Sequence, residues 1–179
     1  MTHTPVDDGP ETLPTVRDLG SARRSHRWRQ IGIAVLALWV IVGATGYLGV
    51  HSSTRTASGS DGWHMTFTYP TVARAGLDVP ERLVITQDGG FTSDAITVAI
   101  NGSWFDMFET QGLWPEPSSE TRARDNVYLT FDAPAGDTLT IDYDAYIQPA
   151  AQIGRQARIS VVTDGQTRVS LQAKTFLFP

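Results

Sequence analysis

No cysteine occurs anywhere in the 179 residues, and lysine is almost missing: Lys174 stands alone against thirteen arginines. Without thiols the chain has no disulfide, no thiolate metal site and no cysteine nucleophile. The disulfide pin of antibody domains is excluded with them. Beyond residue 50 the only histidines are His51 and His64, which without cysteine make no zinc site. A Ser–His–acid relay would need His64 beside a nucleophile on a strained turn, and no G-x-S-x-G is present. A Ser–Lys dyad would depend on Lys174, which strand alternation places on an exposed face. No glycine loop that cradles phosphate and no dinucleotide fingerprint is found, so no cofactor is expected. Positive charge is scarce as well. From Arg55 onward nine basic residues face fifteen acidic ones, a balance that argues against nucleic acid or anionic lipid headgroups as partners of this domain.

What the chain does have is one long apolar run. Ile31 to Val50 is twenty residues without a charged side chain, and ten of them are Ile, Leu or Val. At about 1.5 Å per residue a helix of that length spans roughly 30 Å, the thickness of a bilayer's hydrocarbon core. Arg23, Arg24, Arg27 and Arg29 precede it, while the first twelve residues after it hold one Arg and one Asp. Basic residues stay on the cytoplasmic side, so a single-pass plasma-membrane anchor is expected, N-terminus inside and C-terminal domain outside. A cleaved signal peptide is the alternative, with Ala44, Gly46 and Gly49 as small residues for cleavage. Residues 1–30 read as a disordered cytoplasmic tail with a basic flank, 31–50 as the transmembrane helix contacting the bilayer, and 51–62 as a flexible Ser/Thr/Gly linker. Gly43, Gly46 and Gly49, with Thr45, offer a small-residue face through which two such helices could associate.

From Trp63 the hydrophobic period becomes two. Trp63, Met65, Phe67 and Tyr69 alternate with His64, Thr66 and Thr68 in a half-buried strand that Pro70 is expected to end. Further strands are expected over 82–86, around Ile96, Val98 and Ile100, and over 126–131, 138–147, 157–163 and 168–178, with another near 72–79. Asp164-Gly165 is a two-residue hairpin signal. About seven short strands at this spacing read as an antiparallel β-sandwich. With its opening Tyr69-Pro70, Gly76 and Val79-Pro80 followed by a Val/Ile strand, 63–179 resembles an immunoglobulin-like or fibronectin-like exported bacterial domain of the actinobacterial type. The resemblance implies a mainly β, extracytoplasmic sandwich and, since folds host many functions, nothing about activity.

Asn101 to Asp125 departs from the alternation. Ser103, with Asp106 three residues on, has the spacing of a capped short helix that Gly112 would stop. It carries Trp104, Phe105, Met107 and Phe108, with Trp114 beyond. Either these side chains plug one end of the sandwich, or they form an aromatic surface for a partner. Asp142 with Asp144, and Asp88 with Asp94, are the carboxylate pairs, and neither has the ligand count of a calcium loop. The expectation is a membrane-anchored, non-enzymatic accessory protein binding another envelope or membrane protein. A cell-wall glycan module stacking sugars on Trp104 and Trp114 is the alternative, and a tethered hydrolase the weakest reading.

Overall fold

The computed structural model describes residues 19–46 and 49–178, with side chains from His26 onward except that of Thr110. Residues 1–18 of the expected tail, Tyr47 and Leu48 of the expected transmembrane helix, and the side chains of Arg23 and Arg24 lie outside the described residues. The chain divides into two compact units, Met1–Leu48 and Gly49–Pro179.

In the first unit, α1 runs Leu19–Ala44. It begins inside the stretch expected as tail because Arg, Gln and Ala form helix readily. It ends six residues before Val50, where Gly46 takes a positive φ of 71° and closes the last turn through its N–H to the Gly43 carbonyl. His26–Ala44 is long and apolar enough to cross a membrane by length and composition. Its Ile33, Leu36, Leu38, Trp39 and Ile41 are exposed. The small-residue face is corrected by this boundary. Thr45, Gly46 and Gly49 lie past the helix, so Gly43 alone of that set is helical.

The second unit is a β-sandwich of two sheets. One has the order β1-β2-β3-β8-β5, with β11 also paired to β2; the other has the order β10-β9-β4-β7-β6. The strands are β1 His51–Ser58, β2 Trp63–Arg74, β3 Asp78–Gln87, β4 Ala95–Asn101, β5 Phe108–Trp114, β6 Ser119–Ala123, β7 Asn126–Asp132, β8 Thr138–Ile147, β9 Gln156–Thr163, β10 Gln166–Lys174 and β11 Phe176–Phe178. A short helix, α2, covers Gly102–Phe105. All neighbours are antiparallel except β11 on β2. The inward rows of the two sheets meet in one core that includes Trp63, Met65, Phe67, Ile85, Ile96, Val98, Leu129, Ile141 and Val161.

Where the count exceeds seven, each addition has a physical reason. Residues 51–58, expected as linker, form β1. It is a Ser/Thr edge strand with only Ser53 and Ala57 half-buried, so no apolar alternation announces it. Its turn back to β2 seats Gly59 directly on the Arg168 carbonyl, where a β-carbon would overlap backbone. Pro70 does not end β2. It lies past the last β3 partner, at Thr68–Arg82, and beside a bulge in β1 at His51–Ser52, where a missing N–H is tolerated. The strand expected over 72–79 is therefore the end of β2, a turn at Gly76 and the start of β3. The strand expected over 168–178 breaks at Thr175, where the chain passes from one sheet to the other. The buried Thr175 hydroxyl donates to the Pro70 carbonyl at 2.8 Å.

Candidate functional site

The insert 101–125 is built into the fold. The α2 turn leads into β5 on the edge of one sheet, and β6 then takes the edge of the other. Asn101, not Ser103, occupies the helix N-cap position, without a side-chain cap. Its amide instead donates to Ser103 Oγ and the Gln156 carbonyl, and its oxygen accepts from the Arg158 N–H. Gly112, expected to stop a helix, lies in β5 at a bulge.

Four of the five candidate surface residues are interior. Trp104, Phe105, Met107 and Phe108 are 1%, 5%, 4% and 4% exposed, which corrects their assignment to a surface. A helix of one turn cannot present a free apolar face, because its ends are drawn straight into both sheets. Trp104 packs edge-on against Phe108 at 4.8 Å and Phe67 at 5.9 Å. Phe105 stacks on Tyr143 at 5.8 Å, and the Arg122 guanidinium lies 5.7 Å from its ring. Asp106 accepts from Arg122 at 2.6 Å, binding the turn to β6. Trp114 is the exception at 74% exposure. It sits on β5, whose outer edge has no neighbour in its sheet among the described residues, and its backbone partner is Asp142.

The core also contains a carboxyl that the expected strand boundary concealed. Glu81 occupies an inward position of β3 between Val79 and Leu83 and is 3% exposed. Among the described residues neither carboxyl oxygen has a hydrogen-bonding partner, nor has the buried indole N–H of Trp104. Both residues line one cavity of about 30 Å³ among Phe67, Leu83, Leu113 and Tyr143. That volume admits a water molecule and is far too small for a sugar ring. Burial pushes the Glu81 carboxyl well above its usual range, because the charged form is left without solvation. Starting the strand at Arg82 hid this residue. Carrying the alternation two residues back through Pro80 would have turned Glu81 inward.

The exposed carboxylates are otherwise engaged or apart. Asp142 accepts from Arg82 Nε at 2.5 Å, and that hydrogen bond raises the Arg82 guanidinium above its ordinary range. Asp144 is exposed, and Asp88 lies 3.8 Å from His64. Among the described residues no group of three or more His, Asp or Glu could hold a metal. A polar groove of about 660 Å³ runs beside α2, with Asp106, Arg122, Arg124, Asp125 and Arg158 along it.

No protein family matches the chain, and neither does any curated protein. Among solved structures it is similar to a non-cellulosomal cohesin from the hyperthermophilic archaeon Archaeoglobus fulgidus. The identity is 9% and the TM-score 0.37, over 71% of this chain and 92% of that one. It is also similar to a mutant beta-glucosidase from Listeria innocua in complex with laminaribiose, with 10% identity and a TM-score of 0.30. That likeness covers 73% of this chain and only 17% of the glucosidase. Resemblances of this size carry no inference about function.

Proposed function

We propose that this chain is a non-enzymatic accessory protein of the plasma membrane. In this reading α1 anchors it with the N-terminus in the cytoplasm, and the sandwich contacts another envelope or membrane protein on the outer side. The observation that carries the reading is Trp114, a large aromatic left 74% exposed on a strand with an open edge. Trp is enriched where interfaces concentrate their energy, and an open strand edge is a template for pairing with another chain. Pro115 and Pro117 follow it, which limits indiscriminate edge pairing while leaving the indole accessible.

The test is chemical crosslinking in intact membranes followed by purification, comparing wild type with Trp114→Ala. Loss of one specific crosslinked protein from a variant that melts like wild type supports the reading. An unchanged set of partners removes Trp114 as the contact. Binding to purified cell-wall polysaccharide that Trp114→Ala abolishes would favour the glycan module instead.

A further inference from the structure

The two ends of the sandwich differ in chemistry. The strand register brings the start of β1, the ends of β2 and β8, α2, the loop 148–155 and β11 to one end. That is the end at which the chain arrives from α1. At the opposite end lie the turns around 59–62, 88–94, 133–137 and 164–165. Asp61, Asp88, Asp94, Asp132, Asp137 and Asp164 are all exposed at this far end, where Arg168 is the one Lys or Arg among the described residues and His64 lies 3.8 Å from Asp88. The near end carries Arg74, Arg122, Arg124, Arg155, Arg158 and Lys174, six of the nine basic residues from Arg55 onward. Asp78, Asp106, Glu109, Glu120 and Asp125 only partly offset them, with Arg122 held between Asp106 and Glu120.

Exposed apolar side chains follow the same division. From Gly49 onward the large ones among the described residues are Val50, Leu77, Trp114, Ile153, Phe176 and Phe178. All but Trp114 lie at the near end, where backbone contacts tie the loop 148–155 to β11. The Ile147 N–H donates to the Leu77 carbonyl at 3.0 Å, and the Thr175 N–H to the Arg155 carbonyl at 3.0 Å. Gly154 is seated so closely on the Thr175–Phe176 backbone that a β-carbon would overlap it. This holds Ile153, itself 74% exposed, beside β11. Lys174 Nζ lies 4.4 Å from the Phe176 ring. Lys174 and Arg155 thus stand beside the apolar side chains of Phe176 and Ile153. This mixture suits a lipid interface, where rings enter the headgroup layer and amines and guanidiniums meet phosphate.

We propose that this near end docks on the anionic phospholipid headgroups in the outer leaflet of the membrane that α1 spans. The proposal rests on the anchor reading of α1 and adds a contact made by the sandwich itself. Six residues, 45–50, join Ala44 to His51, a reach of at most about 25 Å. Anchoring therefore holds the patch at high effective concentration over the surface. Anionic headgroups there would also repel the aspartates of the far end, so the charge division sets which end faces the lipid.

The absence of cysteine permits a direct test on the full chain. An environment-sensitive fluorophore is attached at Gln152→Cys or, at the far end, at Ala135→Cys. Each protein is reconstituted into vesicles of phosphatidylcholine, alone or mixed with phosphatidylglycerol. Docking predicts a blue shift at position 152 in the mixed vesicles, with several-fold stronger quenching by headgroup-labelled lipid than at 135. High salt and the triple change Arg155→Glu, Arg158→Glu, Lys174→Glu should both abolish the difference. Equal, solvent-like signals at the two positions overturn the proposal, and a signal indifferent to phosphatidylglycerol and to charge reversal overturns lipid phosphate as the occupant. Carbonate extraction reads the anchor separately. A chain released by carbonate refutes the anchor and the docking together. One that is retained while position 152 stays in water refutes the docking alone.

Discussion

Trp104 and Trp114 lie ten residues apart in one insert, yet one is 1% exposed and the other 74%. The backbone decides the difference. Trp104 sits on a one-turn helix whose flanking strands belong to opposite sheets, so its indole has nowhere to go but between them. Trp114 ends an edge strand, where alternation sends Leu113 toward the core cavity and the next residue outward. Identical side chains thus serve two purposes, one closing the fold and one presenting a surface.

The largest effect expected from breaking this contrast is on the interior member. Truncating a buried aromatic of this size typically costs about 3–5 kcal/mol through lost transfer energy and the cavity left behind. Domains of ordinary stability have only about 5–15 kcal/mol in total. Trp104→Ala should therefore lower the thermal midpoint sharply or leave the domain unfolded. Denaturant unfolding of the full chain in detergent measures this, and a variant with wild-type stability would show that the α2 turn is not part of the core.

The second effect concerns Glu81, which shares the cavity with Trp104. The native state keeps this carboxyl protonated above the pH at which the unfolded chain releases the proton. The native state then binds more protons than the unfolded one, so the derivative of stability with pH is negative. The stabilising contribution is complete below the unfolded value, near the ordinary glutamate value of 4.5, and is lost as pH rises through the folded value. Compared with Glu81→Gln, wild type should lose roughly 1 kcal/mol per pH unit across that window. Glu81→Leu, which removes an unpartnered buried polar group, should gain about 1–3 kcal/mol at neutral pH. Parallel stability curves for wild type and Glu81→Gln between acid and neutral pH would refute a buried neutral carboxyl.

What could be read from the sequence follows the same logic of visible and hidden constraint. The inward rows of β2, β4, β7, β8 and β9 were legible because alternating large apolar residues leave little choice of face. β1 was hidden, since a Ser/Thr edge strand needs only a partner and not a buried row. β5 and β6 were hidden by Gly112 and by the prolines between them, which read as loop although the chain there is crossing from sheet to sheet. The aromatic spacing of 104, 105, 107 and 108 was equally compatible with a helix face or a plug. Only the short reach between Asn101 and Phe108, fixed by both sheets, selects the interior. Nor could composition show the charge division between the ends, because the net acidity of the domain conceals it until the register sorts the residues.

The smallest effect on stability is expected at the exterior member of the pair, and there its smallness is informative. Trp114 gains little from packing, so Trp114→Ala should change unfolding stability by no more than about 0.5 kcal/mol, as for a surface position without special contacts. Leu113, its neighbour on the core side, provides the internal comparison. It lines the cavity with Glu81 and Trp104, so Leu113→Ala should cost clearly more than Trp114→Ala despite the smaller volume removed. If the two costs are reversed, the β5 edge is folded back on the domain and Trp114 is packed. An exposed indole that stability does not require then ceases to be the reason to look for a partner at that edge.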